Sequence, residues 1–326
     1  MKKIRWGIAG PGIIANKFAS AIKNVDSAEL VAVCSKTKDK AINFAEKYGV
    51  KNVFESYDEM AASPLLDAIY ISTAHPFHKS CAEIFLRAKK HVLCEKPICI
   101  NKNDVLSLLE CAKQNNVFLM EAMWTRFLPA ILETQKIIKD GKIGEVRSVS
   151  ADFCYSCPPN EDPKLYSNDL CGGSLLDVGV YGLNFASLFF GNNPVEIKAT
   201  ADIKDGVDCL TNVLLKYKNG SIASISSAIN TEKPANAYIY GTDGYIKIPE
   251  FYGAKEIFIY KNGNEEHIIK PPIGDGFEEE IYEACNCILN LKNQSEIMPL
   301  SESVAITELM DKIREQIGLK YPYDSL

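Results

Sequence analysis

Lys96, Asp177 and Tyr181 are the side chains of this chain best suited to moving a proton on and off a hydroxyl group. Lys96 stands in Glu95-Lys96-Pro97, directly after the apolar run Val92-Leu93-Cys94 and held by the following proline. To accept a proton its amine must be neutral, so its pKa must fall from about 10.4. Asp177 and Tyr181 lie in Gly172-Gly173-Ser174-Leu175-Leu176-Asp177-Val178-Gly179-Val180-Tyr181. Residues four apart share a helix face, so a helix here presents a carboxylate and a phenol side by side. A helix-start carboxylate also serves as a dipole partner, and a tyrosine in an apolar helix as core. It is the pair, following two glycines, that points to chemistry.

A second constellation opens the chain: Gly7-Ile8-Ala9-Gly10-Pro11-Gly12-Ile13-Ile14-Ala15. It joins a strand-like run, Ile4–Ala9, to a helical pattern over 13–22. Gly10 makes the tight turn, and Gly12 lets backbone approach a pyrophosphate. The N–H groups around Ile13 and Ile14 meet the phosphates at the helix start, and Ala15 allows close helix–strand packing. The reading is dinucleotide binding. An acid that binds the ribose hydroxyls of NAD belongs at the end of the next strand. Here that end reads Cys34-Ser35-Lys36-Thr37, and Glu29 precedes the strand. A hydroxyl followed by a cation suits the 2′-phosphate of NADP, so NADP is expected in preference to NAD, with Ser35 and Lys36 holding it. An oxidised nicotinamide at roughly 5 Å from Lys96, at an effective dielectric of about 20, repels the ammonium by about 3 kcal/mol, or about two pKa units. Thr73-Ala74-His75-Pro76-Phe77-His78 follows another strand; Thr73, His75 and His78 are expected to position backbone and cofactor. Glu95 is placed beside the cofactor with Lys96. Trp124 and Arg126, at the crossover between domains, either wall the cofactor or pack a hinge.

The elements that must position these groups are legible in the periodicity. Candidate strands Ile4–Ala9, Leu30–Cys34, Ala68–Ser72, His91–Cys94 and Val117–Met120 alternate with helical patterns such as Val105, Leu108, Leu109, Ala112. That predicts an α/β domain, a doubly wound parallel sheet of Rossmann type, over 1–123. Ligands in such sheets lie outside the carboxyl ends of the strands, where Lys96 emerges. Beyond residue 120 the period changes to two, at 149/151/153, 211/213/215/217 and 223/225/227/229, with turn signals between. Helical patterns close the chain at 277–289 and 303–317. Residues 124–326 are therefore expected to form an α+β substrate-binding domain on a large open, mostly antiparallel sheet. Its second face still carries Ile, Val and Tyr, so copies are expected to associate through it as a homodimer or homotetramer.

Composition narrows the class. The 326 residues are 47% hydrophobic and carry a formal charge of −6, which argues for a globular chain and against a nucleic-acid partner. The most apolar stretch, Leu175–Phe190, is interrupted by Asp177, Gly179 and Asn184, so no membrane span is expected. The first apolar run is only a strand long, so no signal peptide is expected and the location is read as cytoplasmic. Reduced thiols follow for the eleven cysteines. Cys154 and Cys157 make one C-x-x-C without a second pair, so no metal site is expected.

On Gly10-x-Gly12-x-x-Ala15, Glu95-Lys96-Pro97 and Gly172-Gly173 with Asp177, the chain resembles the glucose–fructose oxidoreductase / inositol dehydrogenase (Gfo/Idh/MocA) superfamily along nearly its whole length. Ala74-His75-Pro76-Phe77-His78-Lys79, Val92 to Pro97 and Leu119 to Phe127 resemble its dimeric dihydrodiol dehydrogenase branch, which includes NADP-linked xylose and glucose dehydrogenases. The resemblance implies a hydride passed between NADP(H) and a hydroxyl-bearing carbon of a sugar or cyclic diol. Lys96 would be catalytic with Asp177 and Tyr181 beside it, and either Lys96 or Tyr181 would carry the proton. Many sugar and inositol members have histidine where Tyr181 stands, which points away from inositol. A cofactor-sensing regulator of the same fold is the alternative; retention of Lys96, Asp177 and Tyr181 together argues for turnover.

Overall fold

The computed structural model describes residues 2–324. The chain divides into two compact units, Met1–Trp124 with Ile273–Val304, and Thr125–Pro272 with Ala305–Leu326.

The first unit is built on six parallel strands: β1 (Ile4–Ala9), β2 (Ala28–Cys34), β3 (Asn52–Phe54), β4 (Ala68–Ile71), β5 (His91–Glu95) and β6 (Leu119–Ala122). Their order is β3-β2-β1-β4-β5-β6, the doubly wound arrangement. β4 is buried along its whole length and β1 at all but one position, as a sheet covered on both faces requires. β3 has only three residues, too few to show a period, and was not among the expected strands. The crossover helix Lys102–Asn115 buries Val105, Leu108 and Ala112, as its spacing predicts, and starts with the Asn101 side chain accepting from the Asp104 N–H. The order reverses between β1 and β4, the switch point outside whose carboxyl ends ligands of doubly wound sheets lie.

The helix Phe277–Leu289 has the bounds its pattern predicts, but it belongs to this first unit rather than to a continuous 124–326 domain. Its buried face is Phe277, Ile281, Ala284, Cys285 and Ile288. The Trp6 indole N–H donates to Cys285 Sγ at 3.4 Å, and the Asn24 amide to Glu278 Oε1 at 2.8 Å. An amphipathic period declares that one face needs cover; it does not say which partner covers it.

The second unit holds eight strands: β7 (Val146–Cys154), β8 (Glu196–Lys204), β9 (Val207–Lys216), β10 (Ile222–Ala228), β11 (Ala237–Gly241), β12 (Tyr245–Ile248), β13 (Glu256–Lys261) and β14 (Asn264–Ile269). They run in the order β14-β13-β12-β11-β7-β10-β9-β8, antiparallel except where β7 and β10 pair in parallel. The period-2 residues Val149, Ala151, Val213, Leu215, Ala223 and Ile225 are buried, and the helix Val180–Phe190 packs on β7 and β10 of this face. Gly182 allows that approach: a Cβ there would lie 2.6 Å from Ile225 Cγ2. The other face exposes Leu214, Ile222 and Tyr240. By length and composition Asn168–Phe190 could cross a membrane, but 78% of its most apolar window is buried inside the protein, as in a core helix.

Candidate active site

Each unit holds a cluster of polar groups. In the first, β1 runs into Gly10 at φ +90°, a conformation that side chains rarely adopt. A Cβ on Gly10 would also lie 2.9 Å from Thr73 Cγ2 and 3.0 Å from Thr73 N. The turn is tied across the sheet: the Gly10 N–H donates to the Cys34 carbonyl at 3.0 Å, and Ser72 Oγ donates to the Gly10 carbonyl at 2.9 Å. Gly12 is the first cap of the helix Ile13–Ala21 and offers no side chain to its N–H groups. Ala15 is wholly buried beneath, while Ile13 stands out in solvent at 83% exposure with Ile14 half-buried. A helix start with uncapped N–H groups, reached over glycine backbone, fits a pyrophosphate.

Beyond β2, Ser35 Oγ accepts from the Thr37 N–H at 3.1 Å, shaping the loop. Lys36 is exposed, its Nζ 4.6 Å from the centroid of the Phe77 ring. Positions 35–38 are Ser, Lys, Thr and Lys, with no carboxylate. Glu29 is exposed at the start of β2, the end of the strand remote from this loop.

His78 is buried, with Nδ1 2.8 Å from the Pro97 carbonyl and Nε2 3.0 Å from the Thr73 carbonyl. Burial, then the neighbouring His75, pushes its pKa down to about 4, and a neutral ring, with one N–H, donates to one of these two carbonyls, lying between the turn after β4 and the turn after β5. His75 is half-buried, its ring 5.8 Å from that of His78. Lys96 is the first residue beyond β5 and is half-buried between the buried Glu95 and Pro97. The Glu95 carboxyl points inward, away from the role of a cofactor contact: the Tyr70 hydroxyl and the Lys96 backbone N–H donate to it. Burial raises its pKa to about 7 against those hydrogen bonds. Glu280, wholly buried on the helix Phe277–Leu289, has no hydrogen-bond partner for either carboxyl oxygen. Burial first, and the charge of Glu95 second, hold its pKa well above the carboxylate range. Trp124 is buried and stacks on Phe277, centroids 5.1 Å apart.

In the second unit, the segment from Cys171 to Ser187 is buried at every position except Asp177. The predicted helix opens as a π turn, Leu175–Gly179, before continuing as the α-helix Val180–Phe190. π turns within helices are frequent at functional sites. The start is clamped by Asp208, whose Oδ2 accepts from Ser174 Oγ (2.7 Å), the Leu175 N–H (2.8 Å) and Thr211 Oγ1 (2.6 Å). Gly173, at φ +109°, makes room for it; a Cβ there would lie 2.2 Å from Asp208 Oδ1. Burial raises the Asp208 pKa to about 6 against the three donors. The Tyr155 hydroxyl donates to Asp177 Oδ2 at 2.7 Å. An aromatic shelf lies alongside: Phe153 stacks on Tyr252 at 4.1 Å and sits 5.4 Å from Tyr181. Arg126, read from the sequence as either a cofactor wall or part of a packed hinge, is buried within this unit and donates to Asn184 Oδ1 at 3.1 Å.

Tyr155, Asp208, Glu280 and Tyr252 were not anticipated. The signal for Asp208 is local, an acid within Val207-Asp208-Cys209; the others are joined to the site only by folding. Ten of the eleven cysteines are buried and Cys157 is half-buried. Among the described residues, no three His, Cys, Asp or Glu side chains converge as a metal would need.

A parallel sheet in this order, entered through such a glycine turn, defines a dinucleotide-dependent protein. The chain belongs to the Gfo/Idh/MocA oxidoreductases: the family described as "Oxidoreductase family, NAD-binding Rossmann fold" matches residues 4–123, and the "GFO/IDH/MocA C-terminal domain" matches 131–247. It is 34% identical to the trans-1,2-dihydrobenzene-1,2-diol dehydrogenases of Mus musculus and Danio rerio, covering 98% and 99% of this chain and 99% of each relative. Among solved structures it is similar to KijD10, a 3-ketoreductase from Actinomadura kijaniata in complex with NADP and TDP-benzene, at 26% identity and a TM-score of 0.89 over 97% of this chain and 98% of that one. The protein is thus an oxidoreductase with an NAD(P)-binding Rossmann domain.

Proposed function

We propose that this oxidoreductase uses NADP(H) to interconvert a hydroxyl-bearing ring carbon and the corresponding carbonyl, its substrate being a cyclic trans-diol or a sugar. The dinucleotide supplies the hydride acceptor or donor. Gly10, Gly12 and the N–H groups of Ile13 and Ile14 hold its pyrophosphate, and Ser35 and Lys36 hold the 2′-phosphate. Thr73, His75 and His78 shape the turn beneath. Lys96, in its neutral form, takes the hydroxyl proton as the carbonyl forms, and returns it in the reverse direction. Asp177 accepts a hydrogen bond from the substrate, and Tyr181 orients it or shares the proton.

One observation carries the reading. Within an otherwise buried 17-residue stretch, the single side chain left accessible is the carboxylate Asp177, beside an aromatic shelf. An aromatic face with one acceptor suits a ring that has an apolar face and a hydroxyl edge. The 34% identity to diol dehydrogenases supports the same class. The absence of a carboxylate at 35–38 supports NADP. We also propose that copies of the chain pair through the exposed face of the second sheet.

The test is a panel of trans-1,2-dihydrobenzene-1,2-diol, D-xylose, D-glucose and myo-inositol, each with NADP and NAD, followed by absorbance of the reduced nicotinamide. Turnover of the diol or an aldose with NADP, and little with inositol, is expected. Turnover confined to inositol, or a preference for NAD, would overturn the corresponding part.

A further inference from the structure

We propose that Tyr155 is the positioning residue of Asp177: its phenol, anchored in a small core of its own, sets the rotamer of the carboxylate and keeps it a hydrogen-bond acceptor. The inference rests on the reading of Asp177 given above.

Tyr155 is the first residue beyond β7, and its N–H donates to the Ala228 carbonyl at 3.1 Å. The chain stays pinned past it: Ser156 bridges to Asn230, and the Cys157 N–H donates to the Ile229 carbonyl at 3.0 Å. The ring packs on Val207, Cys209 and Ile229, a cluster that Leu165 and Tyr166 complete. The Tyr166 hydroxyl closes the cluster, 2.8 Å from the Cys157 carbonyl and 3.1 Å from that of Ile229. Backbone and ring are both held, so the phenol oxygen has little freedom. Asp177 sits on the π turn, and a side chain there has several rotamers open to it. The 2.7 Å bond selects one of them.

The direction of the bond follows from charge. The Cys157 thiol faces both the phenol and Asp177, and the Asp162 carboxylate faces the phenol. Burial, then the Asp177 charge, lifts the Tyr155 phenol far above its ordinary pKa of about 10, so it remains a donor across the working range. A donor to the charged form of a carboxylate lowers that carboxylate's pKa. Tyr181 is differently placed. Its ring belongs to the shelf with Phe153 and Tyr252. Tyr155 thus acts on the carboxylate, and Tyr181 remains the tyrosine proposed to meet the substrate.

Tyr155→Phe removes the hydroxyl and keeps the ring. The first readout needs no substrate: the carboxyl infrared band that Asp177→Asn deletes is followed against pH. Its midpoint should rise by about one pH unit in Tyr155→Phe, the usual scale for losing one charge-assisted hydrogen bond; an unchanged midpoint overturns the proposal. Tyr166→Phe is the control for a merely structural effect, since its hydroxyl braces the same cluster without touching Asp177. It should leave the midpoint in place, and an equal shift in both variants overturns the proposal. The second readout is kcat/KM for NADP-linked oxidation of trans-1,2-dihydrobenzene-1,2-diol. Tyr155→Phe should lower it about tenfold and move its acid limb upward, with no further loss in an Asp177→Asn background. Independent, multiplying losses would overturn it. Should the wild-type protein not oxidise the diol, the functional reading fails while the infrared midpoint still decides the role of Tyr155.

Discussion

Lys96 and Lys36 are the residues whose substitution separates chemistry from binding. Lys96 leaves β5 at its carboxyl end and is fixed by the Glu95 carboxyl on its own N–H. Lys96→Ala should lower kcat and kcat/KM together by about 10²–10⁴-fold, the range for general acid–base help, with the dinucleotide Kd nearly unchanged. A near wild-type kcat on a verified substrate would remove Lys96 from the mechanism. Tyr181→Phe in the same assay apportions the proton: a loss as large as that of Lys96→Ala makes the phenol the carrier. Lys36 stands over the Phe77 ring on the loop after β2, where the 2′-phosphate of NADP belongs. Lys36→Ala should weaken NADP by roughly 1–3 kcal/mol, the worth of a charge-assisted hydrogen bond, and leave NAD almost untouched. Fluorescence titration with both dinucleotides measures the difference, and equal losses for the two would show that Lys36 does not read the phosphate.

At the scale of elements, the helix Phe277–Leu289 brings Glu280 into the first unit, where it faces Glu95 from a position with no hydrogen-bond partner. Both carboxyls have folded-state pKa values above the ordinary 4.5, from burial first. The folded protein therefore holds protons that the unfolded chain releases. Their contribution to stability is full below about pH 4.5 and is lost as pH rises, for Glu95 through about 7. Each such group costs about 1.4 kcal/mol per pH unit over its window. Glu280→Gln keeps the shape of a neutral acid and removes one of the two slopes. The variant should gain stability relative to wild type on going from pH 5 to pH 8, read as the difference in urea midpoints. Parallel wild-type and variant curves would mean that Glu280 is not held protonated. The second clamp, Asp208 on the start of the π turn, acts in the other unit by the same physics: its pKa of about 6 makes the ionised form a standing cost above that pH.

At the scale of the whole molecule, the eight-stranded sheet has one face under the helix Val180–Phe190 and one that displays Leu214, Ile222 and Tyr240, the first at 50% exposure. Aromatic rings extend that face: Tyr238 stacks with Tyr240 and Tyr245 with Tyr260. Such a surface is unusual on a monomer. Sedimentation at micromolar concentration should show a dimer or tetramer, and Leu214→Glu, which places a charge on that face, should shift it toward monomer. A wild-type chain that sediments as a monomer would refute association.

The glycine turn, the strand-end Ser35-Lys36, the Glu95-Lys96-Pro97 turn and the alternation of strands with helices were legible in the sequence because each depends on local backbone geometry or on a period of two or 3.6 residues. Local pattern could not reveal β3, too short to carry a period, nor the parallel pairing of β7 with β10, which joins segments about seventy residues apart. It also left the helix Phe277–Leu289 with the wrong partner, since an apolar stripe records a need for cover and not its source. The site followed the same division. Residue type and spacing marked Lys96, Asp177 and Tyr181, whose chemistry is their own. Tertiary structure alone decided that Tyr155 bonds Asp177, that Asp208 clamps the turn beneath it, and that Glu280 meets Glu95 from 185 positions away. Those roles come from burial and from distances between residues far apart in the chain, and both are properties of packing.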